Sequence, residues 1–325
     1  MSKFAQLLEN AEKVSAKYNG PSRDAAGRHI LTVDVEDSPQ STLDNGVAAG
    51  ERVVMNTLAL LELLDEAGAR ATFFVLGKVA ERHRQLALEI ARAGHEVATH
   101  GYSHESLASM SAKQFREELH RSVEILRDQT GEPVSGHRAA DFSMSSKRLY
   151  YLEYLLREGL SYDSSIVPIR NPRYGIPGAY PYPHLIRSAS RQRLIEFPPA
   201  TMKLGGIRLT SAGGGYFRVL PYWLSKFTLS SFERSQHPAT FYLDSYEMDA
   251  REIVPTVNAA LAALHLRRFL QCASIRPKLR RLLTDFRFAT MGEACKSLTE
   301  EELPVALDLA VLPIRYGNVA VIQGD

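Results

Sequence analysis

The sequence is poor in cysteine and tryptophan, with two cysteines (Cys272 and Cys295) and one tryptophan, and it holds no long uninterrupted apolar run. Two cysteines cannot build a disulfide framework, so buried free thiols are expected rather than a Cys272–Cys295 bridge. No stretch reaches the length of about 20 apolar residues that a membrane-spanning helix needs. Charge of one sign is also missing: 39 basic residues against 37 acidic ones leave a formal net charge of +2. That balance gives no field for a polyanion, so no nucleic-acid partner is expected. One local basic run, Arg267 to Arg281, reads as a solvated helix face. The first residues lack the apolar core and cleavage site of a secretory signal. They read instead as an amphipathic helix over residues 1–25, with Phe4, Leu7, Leu8, Ala11 and Val14 on one side. That helix is expected to pack on the body of the protein, peripheral membrane contact being the alternative, and a cytoplasmic location is expected.

What the sequence does have is alternation. HILTVDVED opens with a β-branched run that ends in acids, and residues 53–67 follow with helical spacing up to Gly68. RATFFVLG reads as a buried strand, residues 78–93 as a helix, HEVATH as a strand, residues 113–129 as a helix, and VSGHRAA as a strand. This order predicts parallel strands with covering helices. Reactive groups in such folds gather at the carboxyl ends of the strands. Asp34, Glu36, Asp37, His100 and Arg138 fall there.

The stretch from Pro168 to Pro199 breaks the pattern. Its prolines remove donors and fix φ, which predicts a long ordered loop region. In SAGGGYFR, three consecutive glycines predict a tight turn or close backbone approach to a ligand. PATFYLD reads as the last clear strand, and TDFRFATMGEA as a terminal strand and helix.

Two features carry chemistry. His100 and His104 stand four apart in ATHGYSH, a spacing that puts two imidazoles on one face of a helical turn, where a divalent metal could bind. DVED places Asp34 and Glu36 on one side of a strand, with Asp37 at the turn. Carboxylates this close repel unless a cation or an arginine neutralises them. Two histidines and one carboxylate leave coordination positions open for water and substrate, as hydrolytic metal sites require.

In this order, TVDVED, RATFFVLG, HEVATHGYSH, GHRAADFS and YDSSIVP resemble the polysaccharide deacetylase family, carbohydrate esterase family four, with the NodB-type homology domain. RYGIP, EFPP and GGGYFR resemble the subgroup encoded beside bacterial exopolysaccharide and exosortase loci. The resemblance runs from about His29 to Glu293. It implies an α/β fold, a distorted (β/α) barrel spanning residues 26–293, which includes the loop region 168–225. A C-terminal helical extension, residues 294–325, is expected beyond it. The implied activity is metal-dependent removal of the N-acetyl group from an amino sugar of a polysaccharide or its precursor. The implied cofactor is Zn2+, with Co2+, Ni2+ or Mn2+ as alternatives, and the implied partner is a carbohydrate. By position, His100 and His104 match the histidine ligands, Asp34 the general base and Arg138 the arginine that orients it. The third ligand stays open between Asp37, favoured by the family's usual aspartate, and Glu36. Tyr174, Tyr216 and Phe217 are the candidates for stacking on sugar.

Two departures matter. FYLDSYEMD puts Asp244 where the subgroup has its catalytic histidine, and an aspartate of ordinary pKa is ionised at neutral pH and cannot donate a proton. Asp244 could act with a raised pKa, His137 or His184 could substitute, or hydrolysis could be impaired. Ala140 also stands where the family has proline, which affects loop stiffness more than chemistry. Trp223, Glu196, Glu247 and His95 read as structural. Hydrolysis of a non-sugar C–N bond is the more remote alternative.

Overall fold

The computed structural model describes residues 28–37, 50–171, 174–205, 207–249, 275–298 and 303–311. The expected N-terminal helix, Cys272, Arg267 and Arg268 lie outside the described residues. The strands are β1 (His29–Val35), β2 (Thr72–Val75), β3 (Glu96–Thr99), β4 (Gly136–His137), β5 (Tyr162–Asp163), β6 (His184–Arg187), β7 (Arg193–Glu196), β8 (Thr201–Leu204), β9 (Ile207–Thr210), β10 (Thr240–Asp244), β11 (Phe288–Ala289) and β12 (Val305–Asp308). The helices are α1 (Glu51–Glu66), α2 (Gly77–Arg82), α3 (Leu86–Arg92), α4 (Ala112–Thr130), α5 (Leu152–Arg157), α6 (Gly214–Val219), α7 (Tyr222–Arg234), α8 (Ile275–Asp285) and α9 (Met291–Ser297).

The main sheet runs β10-β1-β2-β3-β4-β5-β7-β6-β12, and it is parallel from β10 through β7. Beyond β7 the chain returns to its starting edge: Pro199 bridges Thr240, and the Ala200 N–H donates to the Thr240 carbonyl at 2.9 Å. This closes β1, β2, β3, β4, β5, β7 and β10 into a distorted barrel. The segment expected as loop contains β6, which pairs antiparallel with β7, and the hairpin β8–β9. The expected helical extension at the C-terminus differs too. Its described part holds β12, which pairs parallel with β6 and lengthens the sheet.

Pleating sends alternate side chains to opposite faces, and here the two faces feed two cores. Leu31, Val33, Val35, Phe73, Val75 and Val97 join Leu60, Leu64, Val79 and Leu119 of the helices in one large cluster. Ile30, Phe74, Ala98, Tyr162 and Phe197 form a second cluster inside the barrel. Burial on both faces explains why β1 is buried at every position, its polar Thr32 and Asp34 included. α4 is fixed at its start by a reciprocal Ser111–Gln114 capping box and at its end by Gly131 in the left-handed region (φ 71°).

The three-glycine segment approaches protein rather than ligand. Gly213 (φ 132°) bridges Tyr242 of β10, and a Cβ there would lie 2.3 Å from the Tyr242 carbonyl oxygen. Of the basic run, Lys278 caps α6 by donating to the carbonyls of Phe217, Arg218 and Leu220 at 3.2, 2.9 and 3.1 Å. Arg280 pairs with Glu66, and Arg281 lies over the Tyr222 ring. Among the described residues, no helix is long and apolar enough to cross a membrane.

Candidate metal and catalytic site

The inward row of β1 carries Ile30, Thr32 and Asp34, so the polar groups stand directly above the inner apolar cluster. Arg138, just past β4, is fully buried and serves them all. Its Nη1 donates to Asp34 Oδ1 at 2.6 Å and to Thr32 Oγ1 at 2.9 Å. Its Nη2 donates to Ser164 Oγ at 2.9 Å and its Nε to the Ser164 carbonyl at 3.3 Å. Below, the guanidinium lies 4.2 Å from the Phe74 ring centroid. A buried carboxylate paired with a guanidinium in this way is held in a single orientation.

Glu36, His100 and His104 are all buried, and their ligand atoms lie within 4.8 Å of one another. Glu36 Oε2 is 2.5 Å from His104 Nε2 and 3.7 Å from His100 Nε2. The structure therefore brings Glu36, rather than the favoured Asp37, to the histidines. Alternation explains the choice, because Glu36 continues the inward row of Thr32 and Asp34. Asp37 turns away, and its Oδ2 accepts the Gly50 N–H at 2.8 Å. Ser245 locks the Glu36 backbone, donating to its carbonyl at 2.8 Å and accepting its N–H at 3.2 Å.

The histidine pair is not helical, although its spacing suggested a helical turn. Residues 100–104 form a loop, with Gly101 at φ 77° and His104 at φ 65°. A non-glycine residue held at positive φ is a strained conformation of the kind that collects at functional sites. His100 is oriented from behind by Nδ1, 2.9 Å from the Arg138 carbonyl oxygen. Burial by itself would lower the His104 pKa, but the Glu36 charge, with Asp141 and Asp34 behind it, raises it from 6.5 to about 9. Burial likewise opposes ionisation of Glu36, and the two imidazoles outweigh it, so its pKa falls below the usual carboxylate range.

The donor set suits a divalent cation. Glu36 Oε2 and His104 Nδ1 are buried with no partner of hydrogen-bond geometry. A buried carboxylate oxygen facing two imidazoles, with neither contact a proper hydrogen bond, is an arrangement a cation would satisfy. A second cluster, His120, Glu124 and Glu158, is largely exposed, and its groups are engaged in ion pairs: His120 with Glu158, and Glu124 with Arg127.

Asp244 ends β10 in register with Asp34 on β1. Burial, then the charges of Glu247, Glu36 and Asp34, push its pKa well above the ordinary aspartate value, while the Tyr246 hydroxyl donates to its Oδ2 at 2.8 Å and opposes the shift. The two histidines considered as substitutes are placed elsewhere. His137 sits on the outward row, with Nδ1 2.8 Å from Asp163 Oδ1 and its ring edge-on to Phe115. His184 is buried on β6, with Nδ1 at the Tyr182 carbonyl.

Of the stacking candidates, Phe217 is 0% exposed and packs edge-on against Phe241 in the core, so it offers no face to a ligand. Its position on the inner side of α6 is the reason. Tyr216, one residue earlier, is 38% exposed. Tyr174 packs with Phe142, Val167, Ile169 and Tyr242. Trp223, read as packing from its apolar neighbours, is 63% exposed. Glu247 does pair with an arginine, Arg218, at 3.1 Å, and His95 Nδ1 accepts the Ala71 N–H. Two residues that sequence reasoning left without a site role, Ser164 and Ser245, hold Arg138 and Glu36. Ser164 lies within the YDSSIVP motif, but nothing local in the sequence names its partner or that of Ser245, because both partners are remote in the chain.

Comparison with known proteins bears on this geometry. Residues 36–155 match the polysaccharide deacetylase family, and residues 164–296 match a domain of unknown function, DUF3473. A peptidoglycan deacetylase of Helicobacter pylori is 34% identical over 157 residues, covering 48% of this chain and 51% of that protein. The chain thus spans about half the length of this curated relative. A crystal structure described as a polysaccharide deacetylase from Mycobacterium smegmatis superposes with a TM-score of 0.60 at 21% identity, covering 89% of this chain and 96% of the other. An allantoinase structure superposes with a TM-score of 0.56 at 13% identity, covering 85% and 91%. Both likenesses fix the fold, and because the second enzyme is named for a different substrate, the fold leaves the substrate undecided. The ordered motifs, the distorted barrel and the family match agree, and residues 36–155 form a domain of the polysaccharide deacetylase family.

Proposed function

We propose that the protein hydrolytically removes the N-acetyl group from an amino sugar of a bacterial polysaccharide or its precursor, with a divalent metal, Zn2+, held by Glu36, His100 and His104. The observation that carries this reading is the buried Glu36–His100–His104 triad standing beside the Asp34–Arg138 pair. A divalent ion held there would supply Lewis acidity to the amide carbonyl and acidify a water molecule. The remaining chemistry belongs to the chain. Asp34, aimed by Arg138, is the base that accepts the proton of the attacking water. Asp244, whose burial favours the protonated form, is the acid that returns a proton to the leaving amine. A cation at Glu36 would offset part of the charge acting on Asp244, but burial, the largest cause, remains. Tyr174 and Tyr216 are the aromatic groups offered to sugar.

The test couples metal analysis to acetate release from N-acetylglucosamine oligomers. The protein should retain a divalent metal, and a chelator should abolish acetate release until Zn2+ is restored. A chain that takes up no metal even on reconstitution overturns the proposal. Parallel formate and ammonia measurements separate N-formyl sugars and non-sugar C–N bonds from N-acetyl sugars.

A second reading, a catalytically impaired relative that still binds metal and glycan, draws on the engagement of Asp244 with Tyr246 and in a capping box with Glu247. Asp244→His separates the two. A large gain in acetate release over wild type means the natural chain is impaired, whereas wild-type turnover that Asp244→Asn lowers about 100-fold or more identifies Asp244 as the acid.

A further inference from the structure

The outward faces of neighbouring barrel strands carry a row of buried polar side chains at a single register level. Thr99 is paired with His137, His137 with Asp163, Asp163 with Glu196, and Glu196 with His184. The sheet packs helices over this face, so the row needs a reason to be polar. Asp163 is well supplied with donors: Ser165 Oγ at 2.7 Å, the Ser165 N–H at 3.2 Å, and His137 Nδ1 at 2.8 Å. Glu196, fully buried, accepts the Ile166 N–H at Oε1 at 2.9 Å, and its Oε2 has no donor.

The two carboxyl groups stand side by side away from water, where a neighbouring carboxylate disfavours ionisation of Glu196. Burial raises the Glu196 pKa well above the usual range, and the charge of Asp163 adds to this. Asp163 already has three donors, whereas Glu196 Oε2 has none, so a proton on Glu196 gives that oxygen a role towards its neighbour.

Both groups grip the same short segment. Asp163 holds Ser165 and Glu196 holds Ile166, while Ser165 Oγ accepts the Ala139 N–H at 2.8 Å. Ser164, between the gripped residues, supplies both acceptors for the Arg138 Nη2 and Nε. Ser164 Oγ in turn donates to the Phe197 carbonyl at 2.8 Å, which ties the segment to the residue after Glu196. The Arg138 carbonyl is the partner of His100 Nδ1.

We propose that Glu196, as a neutral acid hydrogen-bonded to Asp163, is a positioning residue of the site: it anchors residues 164–166, and through them Arg138, Asp34 and His100. This rests on the metal-site reading of Glu36, His100 and His104. Glutamine at 196 reproduces the neutral acid, with one acceptor for the Ile166 N–H and one donor for Asp163. Alanine supplies neither.

The test is Zn2+ affinity by calorimetry on the full chain for wild type, Glu196→Gln and Glu196→Ala, with circular dichroism and thermal melts on each. Outer groups that orient metal ligands are worth roughly 10–100-fold in affinity. Glu196→Ala should weaken Zn2+ by about 10-fold, and Glu196→Gln should bind as wild type does. A folded Glu196→Ala that binds Zn2+ as tightly as wild type overturns the proposal, as does a folded Glu196→Gln that loses as much affinity as the alanine variant. If Glu196→Ala does not fold, the glutamine variant decides alone: wild-type affinity supports the neutral-acid role, and lost affinity sinks it. A wild type that binds no Zn2+ at all refutes the metal site itself, which is a different outcome.

Discussion

At the scale of single residues, the site depends on which of two adjacent carboxylates faces inward. Glu36 meets His100 and His104, while Asp37 is occupied by the Gly50 amide. On the proposed metal-site reading, Glu36→Gln should abolish retention of a divalent metal, whereas Asp37→Asn should leave it. Metal content after dialysis distinguishes them, and the reverse pattern would restore Asp37 as the ligand. Arg138 is the other decisive residue. Removing it leaves Asp34 buried without its counter-charge, a situation that costs about 3–5 kcal/mol. Arg138→Met should lower the free energy of unfolding by that amount in urea titrations, while a loss below about 1 kcal/mol would mean that Asp34 is reached by water or protonated instead.

At the scale of elements, the short central strands β4 and β5 pack with very little room. A Cβ on Gly136 would lie 1.9 Å from two ring carbons of Tyr162. Tyr162 cannot give way, because it is fully buried and its hydroxyl donates to Glu96 Oε1 at 2.9 Å. Overpacking of this severity costs about 3 kcal/mol or more. Gly136→Ala should produce that loss, or insoluble protein, and the double variant Gly136→Ala/Tyr162→Phe should recover little, since the clash is with the ring. A stable Gly136→Ala would show that β4 can shift, with Arg138 moving along with it. The same tightness accounts for the precision of Arg138, which follows directly from a two-residue strand pinned on both sides.

At the scale of the whole molecule, the distribution of buried histidines sets the acid limit. Burial holds His29, His95, His184 and His237 near pKa 4 instead of 6.5, with the Arg70 charge as a lesser, same-signed cause at His95. Two of them accept backbone N–H groups: His29 Nδ1 from Ala239 and His95 Nδ1 from Ala71, contacts that a protonated ring would lose. Their folded pKa lies below the unfolded one, so the unfolded chain binds more protons between pH 6.5 and about 4. Stability is thus full above that window and falls as the pH drops through it, by about 1.4 kcal/mol per pH unit for each histidine. Urea unfolding at a series of pH values measures the slope. Stability that stays flat from pH 7 down to pH 5 would contradict the neutral, buried assignment.

How much of this was legible in the sequence follows from how far apart the interacting groups are. Apolar patterning along HILTVDV, TFFV and EVAT, and the helical spacing of residues 53–67 and 113–129, are local patterns, and they specified parallel strands with covering helices, while the barrel came from the family resemblance. The ordered motifs were enough to name the family and to mark Asp34, His100, His104 and Arg138. Period-2 alternation also contained the answer for Glu36, since it continues the row of Thr32 and Asp34, yet the family's usual aspartate outweighed that signal. The four-residue spacing of the histidines pointed to a helix, because spacing carries no information on φ, and the observed loop turns on left-handed backbone at Gly101 and His104. Phe217 and Trp223 were misplaced for a related reason: an aromatic in an apolar stretch is buried or exposed according to what another element presents to it. Only the tertiary structure could set Asp244 beside Asp34 across 210 positions of chain, place Ser164 and Ser245 behind the site, or align Asp163 with Glu196. Register between remote strands is fixed by the packing of both sheet faces at once, and no single segment holds that information.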